Sequence, residues 1–176
     1  MTDWDHVEPD RLAALLDDAR ARIWRWECQG DYSAVDADLL RRWRTGLGRD
    51  PDEDRSWVEY VRELRRRGVR FERARRLTEP LTEYLRMQLD LTYMNVEAGE
   101  DVRWVAPPDA AEASLPDYDY YLVDDDAVAV LDFDAAGGFA GARTCAAREV
   151  VERHSTWRDL IWPRAISHAR YLTDRA

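Results

Sequence analysis

Apolar residues recur along this chain with two different spacings. A spacing of three to four residues predicts amphipathic helices, and alternation with polar residues predicts strands. The helical spacing covers residues 10–21, 36–45, 56–67, about 79–93 or 79–96, 109–113 and 149–173. Alternation and short apolar runs predict strands at residues 69–77, 102–106, 119–124, 127–133 and 139–145. Helices and single strands therefore come first, a run of three strands follows, and helical sequence closes the chain.

Some boundaries are set by particular residues. Residues 23–27 alternate like a short strand, although a helix that continues to Cys28 fits the same letters. Residues 46–54 contain two Gly, one Pro and several Asp, and this composition predicts a loop. Thr78 is the expected N-cap of the helix after it, because an acidic residue and a proline follow directly. Pro163 is expected to kink or split the last helix.

The order of elements predicts the fold class. We expect an α/β fold with a mixed, largely antiparallel central sheet and flanking helices. The length of 176 residues fits one domain, residues 1–176. Within it we expect a helical N-terminal part, about residues 1–67, and a sheet-containing part, about residues 68–176.

The strand at residues 69–77 carries the most informative alternation. Its odd-numbered positions share one face, so that Arg73 and Arg75 follow Val69 and Phe71 along that face. If Val69 and Phe71 face the core, the two arginines point inward near the end of the strand. A buried guanidinium needs an acidic or polar partner. The sequence therefore predicts a polar contact inside the domain at this point.

Charge and composition exclude several classes of protein. The formal net charge is −10, which argues against a surface built for phosphate backbones, and no nucleic-acid-binding motif is present. No apolar stretch is long enough to span a membrane, and residues 1–7 do not resemble a signal peptide. Cys28 and Cys145 are too few for a disulfide framework, so we expect reduced thiols and a cytoplasmic protein. His6 is expected in a mobile N-terminal segment.

Four phrases of the sequence carry a family resemblance across most of the chain. They are Thr-Glu-Pro-Leu-Thr-Glu-Tyr-Leu-Arg at 78–86, Asn-Val-Glu-Ala-Gly-Glu-Asp-Val-Arg at 95–103, Leu-Pro-Asp-Tyr-Asp-Tyr-Tyr-Leu-Val-Asp at 115–124 and Trp-Arg-Asp at 157–159. The chain resembles an uncharacterised actinobacterial family, a domain of unknown function. The resemblance implies a genomic setting beside helix-turn-helix regulators, and it implies no chemistry.

A second, remote resemblance concerns the order of elements around residues 115–133. It is similar to one half of a phospholipase D-like domain, whose motif is His-x-Lys-x-x-x-x-Asp. That motif places Asp117 at the His position, Asp119 at the Lys position and Asp124 at the Asp position. A carboxylate in place of the Lys would repel phosphate. The resemblance therefore implies a relative without catalytic activity.

Charged and polar residues cluster where strands end and helices begin, which is where open α/β sheets form their sites. We expect them to converge on a charged cleft for a small anion or a peptide, or else to form structural ion pairs that fix the loops. The candidate residues are Arg73, Arg75, Glu79, Asn95, Glu100, Arg103, Asp119 and Asp124.

Other chemistry has weaker support in the sequence. Seven aspartates crowd residues 117–134, but their positions at strand ends and turns are typical of turn residues rather than of a metal site. Cys28 or Cys145 combined with His154 or His168 has no local signature of a nucleophile. No metal or other cofactor is therefore expected.

The leading hypothesis is a non-enzymatic regulatory or interaction module that acts with a helix-turn-helix transcriptional regulator, through ligand sensing or direct contact. The alternative is an enzyme of unrecognised type acting on a phosphoester or nucleotide. The enzyme requires Arg75, Glu79, Arg103 and Asp119 to converge on one accessible cleft. A partner of the toxin–antitoxin kind is a third option, which the sequence does not separate from the first.

Overall fold

The computed structural model describes residues 4–175, without the side chains of residues 51, 53 and 175. Its helices are α1 (Pro9–Asp17), α2 (Ala37–Arg44), α3 (Pro51–Arg66), α4 (Glu83–Leu91), α5 (Tyr93–Ala98), α6 (Pro107–Glu112), α7 (Arg148–Ile161) and α8 (His168–Arg175). Its strands are β1 (Asp5–Val7), β2 (Arg22–Glu27), β3 (Arg70–Arg76), β4 (Asp101–Val105), β5 (Tyr120–Val123), β6 (Ala127–Phe133), β7 (Phe139–Cys145) and β8 (Ile166–Ser167).

All eight described strands form one open sheet in the order β1-β7-β6-β5-β2-β3-β4-β8. The pairs β2–β3 and β3–β4 are parallel, and every other pair of neighbours is antiparallel. Helices cover both faces of this sheet. The predicted fold class, a mixed and largely antiparallel sheet with flanking helices, is confirmed.

The two faces of the sheet differ in chemistry because successive side chains of a strand point to opposite faces. One face, the tryptophan face, carries Trp24 and Trp26 of β2 beside Tyr120 and Leu122 of β5, and it is apolar at its centre. Helices α6 and α7 pack against it. The opposite face, the arginine face, carries Arg25 and Glu27 of β2 and Arg73 and Arg75 of β3. Helices α1 and α3 cover the apolar part of that face.

The N-terminal part of the chain differs from the prediction. Residues 22–27 form strand β2, so the continuation of helix α1 to Cys28 is wrong. Helix α1 ends at Asp17, and the backbone N–H groups of residues 20–22 are bound by the carboxylate of Asp124. Strands β1 and β2 lie in the sheet, so the N-terminal part that was expected to be helical also contributes two strands. His6 lies in β1, which pairs with β7, while residues 1–3 lie outside the described residues.

Two predicted helix starts are also corrected. Helix α3 begins at Pro51, inside the predicted loop, because the side chain of Asp50 accepts a hydrogen bond from the N–H of Asp52 as an N-cap. Helix α4 is capped by Thr82 rather than by Thr78. Residues 78–81 are irregular, with a bend at 79–80, and do not form a first helical turn.

The end of the chain agrees with the prediction around Pro163. Helix α7 stops at Ile161, the short strand β8 pairs with β4, and helix α8 follows directly. Among residues 4–175, no helix is long and apolar enough to cross a membrane.

Candidate functional site

The site begins with the register of three neighbouring strands. Parallel pairing of β2 with β3 sets Arg25 opposite Arg73 and Glu27 opposite Arg75. Antiparallel pairing of β2 with β5 sets Arg25 opposite Tyr121. These side chains therefore stand next to one another on the arginine face, where β2 and β3 approach their C-terminal ends. We call Arg25, Arg73, Arg75 and Glu27 the arginine cluster.

Glu27 is the centre of the arginine cluster, and only 3% of the residue is exposed. Arg73 donates from Nη1 to Oε1 of Glu27 at 2.6 Å, and Arg75 donates from Nε to Oε2. Nε of Arg25 lies 3.1 Å from Oε1, although the angle is too poor for a hydrogen bond. One carboxylate thus serves three guanidinium groups.

A second carboxylate supports the cluster from the α5 side. Arg73 donates from Nε to Oε1 of Glu100 at 2.5 Å. Asn95 donates from Nδ2 to the other oxygen of Glu100 at 2.8 Å, and Arg49 donates to Oδ1 of Asn95 at 3.0 Å. This chain of contacts joins the loop before α3 to the centre of the sheet.

A third carboxylate, that of Asp119, lies just before β5 and is 1% exposed. Its oxygens accept from the N–H of Cys28 at 3.0 Å, from the thiol of Cys28 at 3.2 Å and from the hydroxyl of Tyr32 at 2.7 Å. Nη2 of Arg25 lies 3.8 Å away. Asp119 therefore fixes the loop after β2 beside the arginine cluster.

Helix α4 supplies the neutral partners of the cluster. Gln88 accepts from Nη1 of Arg75 at 2.9 Å and donates to the hydroxyl of Tyr84 at 2.8 Å. Tyr84 in turn donates to Asp36 at 2.5 Å, just before α2. The network thus reaches from the floor of the sheet to the edge of α2.

Aromatic rings hold the guanidinium groups in place. The guanidinium carbon of Arg25 lies 4.9 Å from the ring centre of Tyr121, and that of Arg75 lies 5.4 Å from the ring centre of Trp104. Arg25 also donates from Nη1 to the hydroxyl of Tyr121 at 2.6 Å. Such cation–π contacts limit the freedom of the arginines, so their donors are pre-organised.

The protonation states follow from burial and charge. Burial alone would raise the pKa of Glu27, but Arg75, Arg73 and Arg25 together bring that pKa well below its usual range. Burial raises the pKa of Asp119, which Arg25 only partly opposes. Burial opposes the charge of Arg73, yet Glu100 and Glu27 hold its pKa above the usual value. The cluster is therefore a fixed arrangement of charges.

The arginine cluster faces a cavity of about 320 Å³ between the sheet and helices α2 and α4. Its polar lining consists of Arg25, Glu27, Tyr32, Asp36, Arg49, Arg73, Arg75, Tyr84, Gln88, Asn95 and Tyr121. Its apolar lining consists of Leu12, Val35, Leu39, Trp57, Leu131, Phe133 and Phe139. The volume is at the lower end of the range of about 300–1,000 Å³ that is typical of small-molecule pockets.

Donors remain available on the cavity wall. In the described part of the chain, the hydrogen bonds of Arg73 and Arg75 use Nε and Nη1, and that of Arg25 uses Nη1. Nη2 of each of the three groups makes no hydrogen bond there. Since guanidinium groups are donors only, these three lining side chains keep N–H donors that make no hydrogen bond within the described chain.

Five of the eight sequence-predicted residues come together in the structure. Arg73, Arg75 and Asn95 line the cavity, and Glu100 and Asp119 are buried behind it and bind the lining residues. The inward orientation of Arg73 and Arg75, and their need for acidic or polar partners, agree with the alternation along β3.

The other three predicted residues lie elsewhere, so the expected convergence of all eight is corrected. Glu79 is exposed in the turn before α4. Arg103 of β4 lies on the tryptophan face, beside Ala74 of β3, and contacts Asp101 and the ring of Trp162. Asp124 follows the far end of β5, where it binds backbone N–H groups. Sequence spacing did not show on which face or at which end of a strand each would lie.

The aspartates compared with the phospholipase D-like motif do not share one site. Asp117 is exposed, Asp119 is buried before β5, and Asp124 lies beyond the other end of the same strand. Asp119 and Asp124 have separate partners, and only Asp119 contacts the arginine cluster.

The thiols and imidazoles have structural roles in the described chain. Both cysteines are buried and free, and burial raises the pKa of the Cys28 thiol, so it stays protonated. His154 contacts Tyr118 and the carbonyl of Val150, and His168 accepts from the indole of Trp104. Among the described residues, no group of three or more His, Cys, Asp or Glu could hold a metal ion.

Sequence reasoning missed several lining residues, including Arg25 and Glu27. The signal for these two was present, since Ile23, Arg25 and Glu27 share one face of an alternating segment. This alternation was not decisive, because a helix that continues to Cys28 fits the same residues. Tyr32, Tyr84 and Gln88 carry no motif, and only the packing of α4 and the loop after β2 brings them to the cavity.

Comparisons with known proteins place the chain in a family. No curated protein matches it. Eleven solved chains match, among them TrmBL2, described as an archaeal chromatin protein with a novel mode of DNA binding, with 14% sequence identity and a TM-score of 0.48. That match covers 93% of this chain and 52% of the other, so this chain spans about half its length. Residues 10–173 match the family described as Domain of unknown function (DUF6879), and the protein therefore belongs to that family.

Proposed function

We propose that this protein is a binding module for a small molecule with an anionic group, which the arginine cluster recognises. One observation carries the proposal: three arginines from adjacent strands, buried Arg73 and Arg75 and partly exposed Arg25, share a single carboxylate on the wall of a cavity. Guanidinium groups bind carboxylate and phosphate oxygens through paired N–H donors. An anion in the cavity would meet the side chains of Arg25, Arg73 and Arg75, which line it.

A purely structural ion-pair network is the competing interpretation. Such a network needs every charge paired and no space beside it, because unfilled volume loses packing contacts. Arg25 meets only part of this requirement, because it lies 3.1 Å from Glu27 and 3.8 Å from Asp119 but makes no hydrogen bond to either carboxylate. In the described chain its guanidinium makes one hydrogen bond, to the neutral hydroxyl of Tyr121, and it lines the open cavity. Arg25 is therefore the expected anchor of the anion.

The same geometry favours binding over the phosphoester enzyme. Arg75 and Asp119 lie at the cluster, but Glu79 and Arg103 lie away from it. The enzyme hypothesis required all four on one cleft.

Isothermal titration calorimetry tests the proposal with benzoate and phenyl phosphate as anionic probes and benzyl alcohol as the neutral probe. We expect an anion to bind at least tenfold more tightly than the alcohol. Arg25→Gln should remove that preference. Arg22→Gln is the matched control, because Arg22 lies on the same strand but faces Glu72 on the tryptophan face. Equal binding of the alcohol and both anions, or an unchanged preference in the Arg25 variant, would contradict the proposal.

The family resemblance supports a further part of the hypothesis, that the module acts with a helix-turn-helix regulator and is regulatory. Co-purification of the tagged chain with a regulator encoded beside it tests this part. A regulator recovered with the wild-type chain, and released by an anionic probe, would support ligand sensing. A monomer that binds no regulator would contradict it.

A further inference from the structure

The residues that line the cavity change from charged to apolar from one strand of the sheet to the next. Its charged end lies on β2 and β3, which carry the arginine cluster. Tyr121 of β5 lies next, and Leu131 and Phe133 of β6 follow. Phe139 of β7 forms the far end. A ligand that crosses these strands therefore passes from charged to apolar surroundings.

The segment around α2 lies on the opposite wall, where its apolar lining residues stand beside the carboxylate of Asp36, which accepts from Tyr84. Val35 and Leu39 line the cavity, and Phe133 packs near Tyr32 and Phe139, with ring centres 6.0 Å and 6.1 Å apart. Val35 is 49% exposed and Phe139 is 36% exposed, and they are the most exposed lining residues. The apolar end is thus the mouth of the cavity, and the arginine cluster is its floor.

The length of this path follows from the spacing of strands. Neighbouring strands lie about 4.8 Å apart, so the step from β3 to β6 spans about 14 Å. Such a path is longer than an anionic group alone. The remaining length is bordered by β5 and β6, whose lining residues there are Tyr121, Leu131 and Phe133.

The charges at the floor limit the anionic group. Three guanidinium groups face three buried carboxylates, those of Glu27, Glu100 and Asp119. A dianion would add two further negative charges to a place where the three positive and three negative charges already balance, and uncompensated buried charge is costly. A group with a single negative charge fits better.

We propose that the ligand is a monocarboxylate with an apolar tail, whose head binds Arg25 at the floor and whose tail runs over β5 towards Val35 and Phe139. This inference rests on the proposed function and names the class of ligand. Planar carboxylate oxygens match the fork of a guanidinium group. The apolar tail is shielded from water by Leu39 and Phe133, which gives a gain in affinity with each buried methylene.

A series of alkanoates tests the inference by calorimetry on the full chain: butanoate, hexanoate, octanoate and decanoate. Burying one methylene contributes about 0.8 kcal/mol, so we expect the Kd to fall about fourfold per methylene. The gain should level off once the tail reaches the mouth. Octan-1-ol is the neutral control and should bind more weakly than octanoate.

Variants at the mouth make the test specific. Val35→Ser and Phe139→Ser should weaken octanoate binding about threefold to tenfold and leave butanoate binding unchanged. Leu47→Ser is the matched control, because Leu47 is also an exposed apolar residue but does not line the cavity. An equal loss in the Leu47 variant would overturn the inference.

The outcomes separate the two proposals. If the Kd of the alkanoates does not depend on chain length but the aromatic anions still bind through Arg25, the proposed apolar tail is wrong. The proposed anion-binding function then stands. If phenyl phosphate binds more tightly than every carboxylate tested, the inference that the ligand is a monocarboxylate is wrong. If neither the alkanoates nor the aromatic anions bind, the proposed function itself fails.

Discussion

The two faces of the sheet use the same strands for different purposes. On β2, Trp24 and Trp26 lie on the tryptophan face, completely buried, while Arg25 and Glu27 lie on the arginine face. The tryptophan face is closed by α7 and is apolar at its centre. The arginine face holds a buried network of charges beside a cavity.

This difference indicates which face contributes most to stability, and the other face carries the cavity at which we propose that a ligand binds. Apolar burial contributes to stability without needing partners, at roughly 25 cal/mol per Å². Buried ion pairs contribute little net stability compared with apolar packing, but losing one partner is costly. The tryptophan face therefore stabilises the sheet. Burying charges on the arginine face costs free energy, which the apolar packing of the tryptophan face offsets.

The largest expected effect comes from removing the shared carboxylate. Glu27→Gln leaves three guanidinium groups without their common partner, so we expect a loss of about 3–5 kcal/mol in the free energy of unfolding, measured by urea denaturation. Glu72→Gln is the control on the tryptophan face, where Glu72 contacts the more exposed Arg22 and Arg70. Glu72 is itself buried, but its arginine partners reach water, so this change should cost less than Glu27→Gln. Equal costs at the two positions would contradict the proposed difference between the faces.

The pH dependence of stability sharpens the same comparison. The pKa of Glu27 is lowered in the folded protein by its arginines, so its stabilising contribution is complete above the ordinary Glu value of about 4.3. That contribution is lost as the pH falls from there towards the lowered pKa. Urea denaturation between about pH 3 and pH 6 should therefore show that the free energy of unfolding falls at acid pH. This fall should be smaller in Glu27→Gln than in wild type.

The raised pKa of Asp119 acts with the opposite sign. Its contribution is complete below the ordinary Asp value of about 3.9 and is lost as the pH rises through the folded-state pKa. In Asp119→Asn, the free energy of unfolding should therefore still fall at acid pH as it does in wild type. An acid profile that is identical in wild type and Glu27→Gln would rule out Glu27 as its source.

A smaller effect is expected from a change in the apolar face. Ile161 of α7 is completely buried against the tryptophan face. Ile161→Val removes one methylene and should cost about 0.5–1.5 kcal/mol in urea denaturation. Calorimetry should show unchanged binding of anionic probes. A loss of binding as large as that in Arg25→Gln would show that the two faces are not independent.

The smallest effect is expected at Glu79, which the sequence assigned to the site. Its side chain is exposed in the turn before α4. Glu79→Gln should change the free energy of unfolding by no more than about 0.5 kcal/mol. Binding of anionic probes should equal that of wild type. A weaker affinity would place Glu79 back in the site.

Sequence patterns predicted the elements better than their arrangement. The three consecutive strands were placed almost to the residue because strong alternation and Asp- or Gly-rich turns bound them. The start of α3 was missed because Pro51 belongs both to loops and to first helical turns. Strand β1 and strand β8 are too short to carry a periodic signal, and pairing with β7 and β4 defines them.

The candidate site was half predictable for a physical reason. Arg73 and Arg75 could be assigned to the interior from one strand alone, because Val69 and Phe71 share their face. Their main partner, Glu27, lies 46 residues before Arg73 in the chain. Only the parallel pairing of β2 and β3 brings the two together, and no local pattern specifies which strands become neighbours.

The strict alternation of tryptophan and charge along β2 also specifies how the strands are aligned during folding. A slip of β2 by one residue would turn Trp24 and Trp26 into the cavity and press Arg25 and Glu27 into the apolar packing under α7. A slip by two residues would keep the parity but move Glu27 from Arg75 to Arg73 and leave Arg75 without its carboxylate. Each wrong alignment buries an unpaired charge, so the cluster that we propose to bind a ligand also makes misaligned sheets unstable.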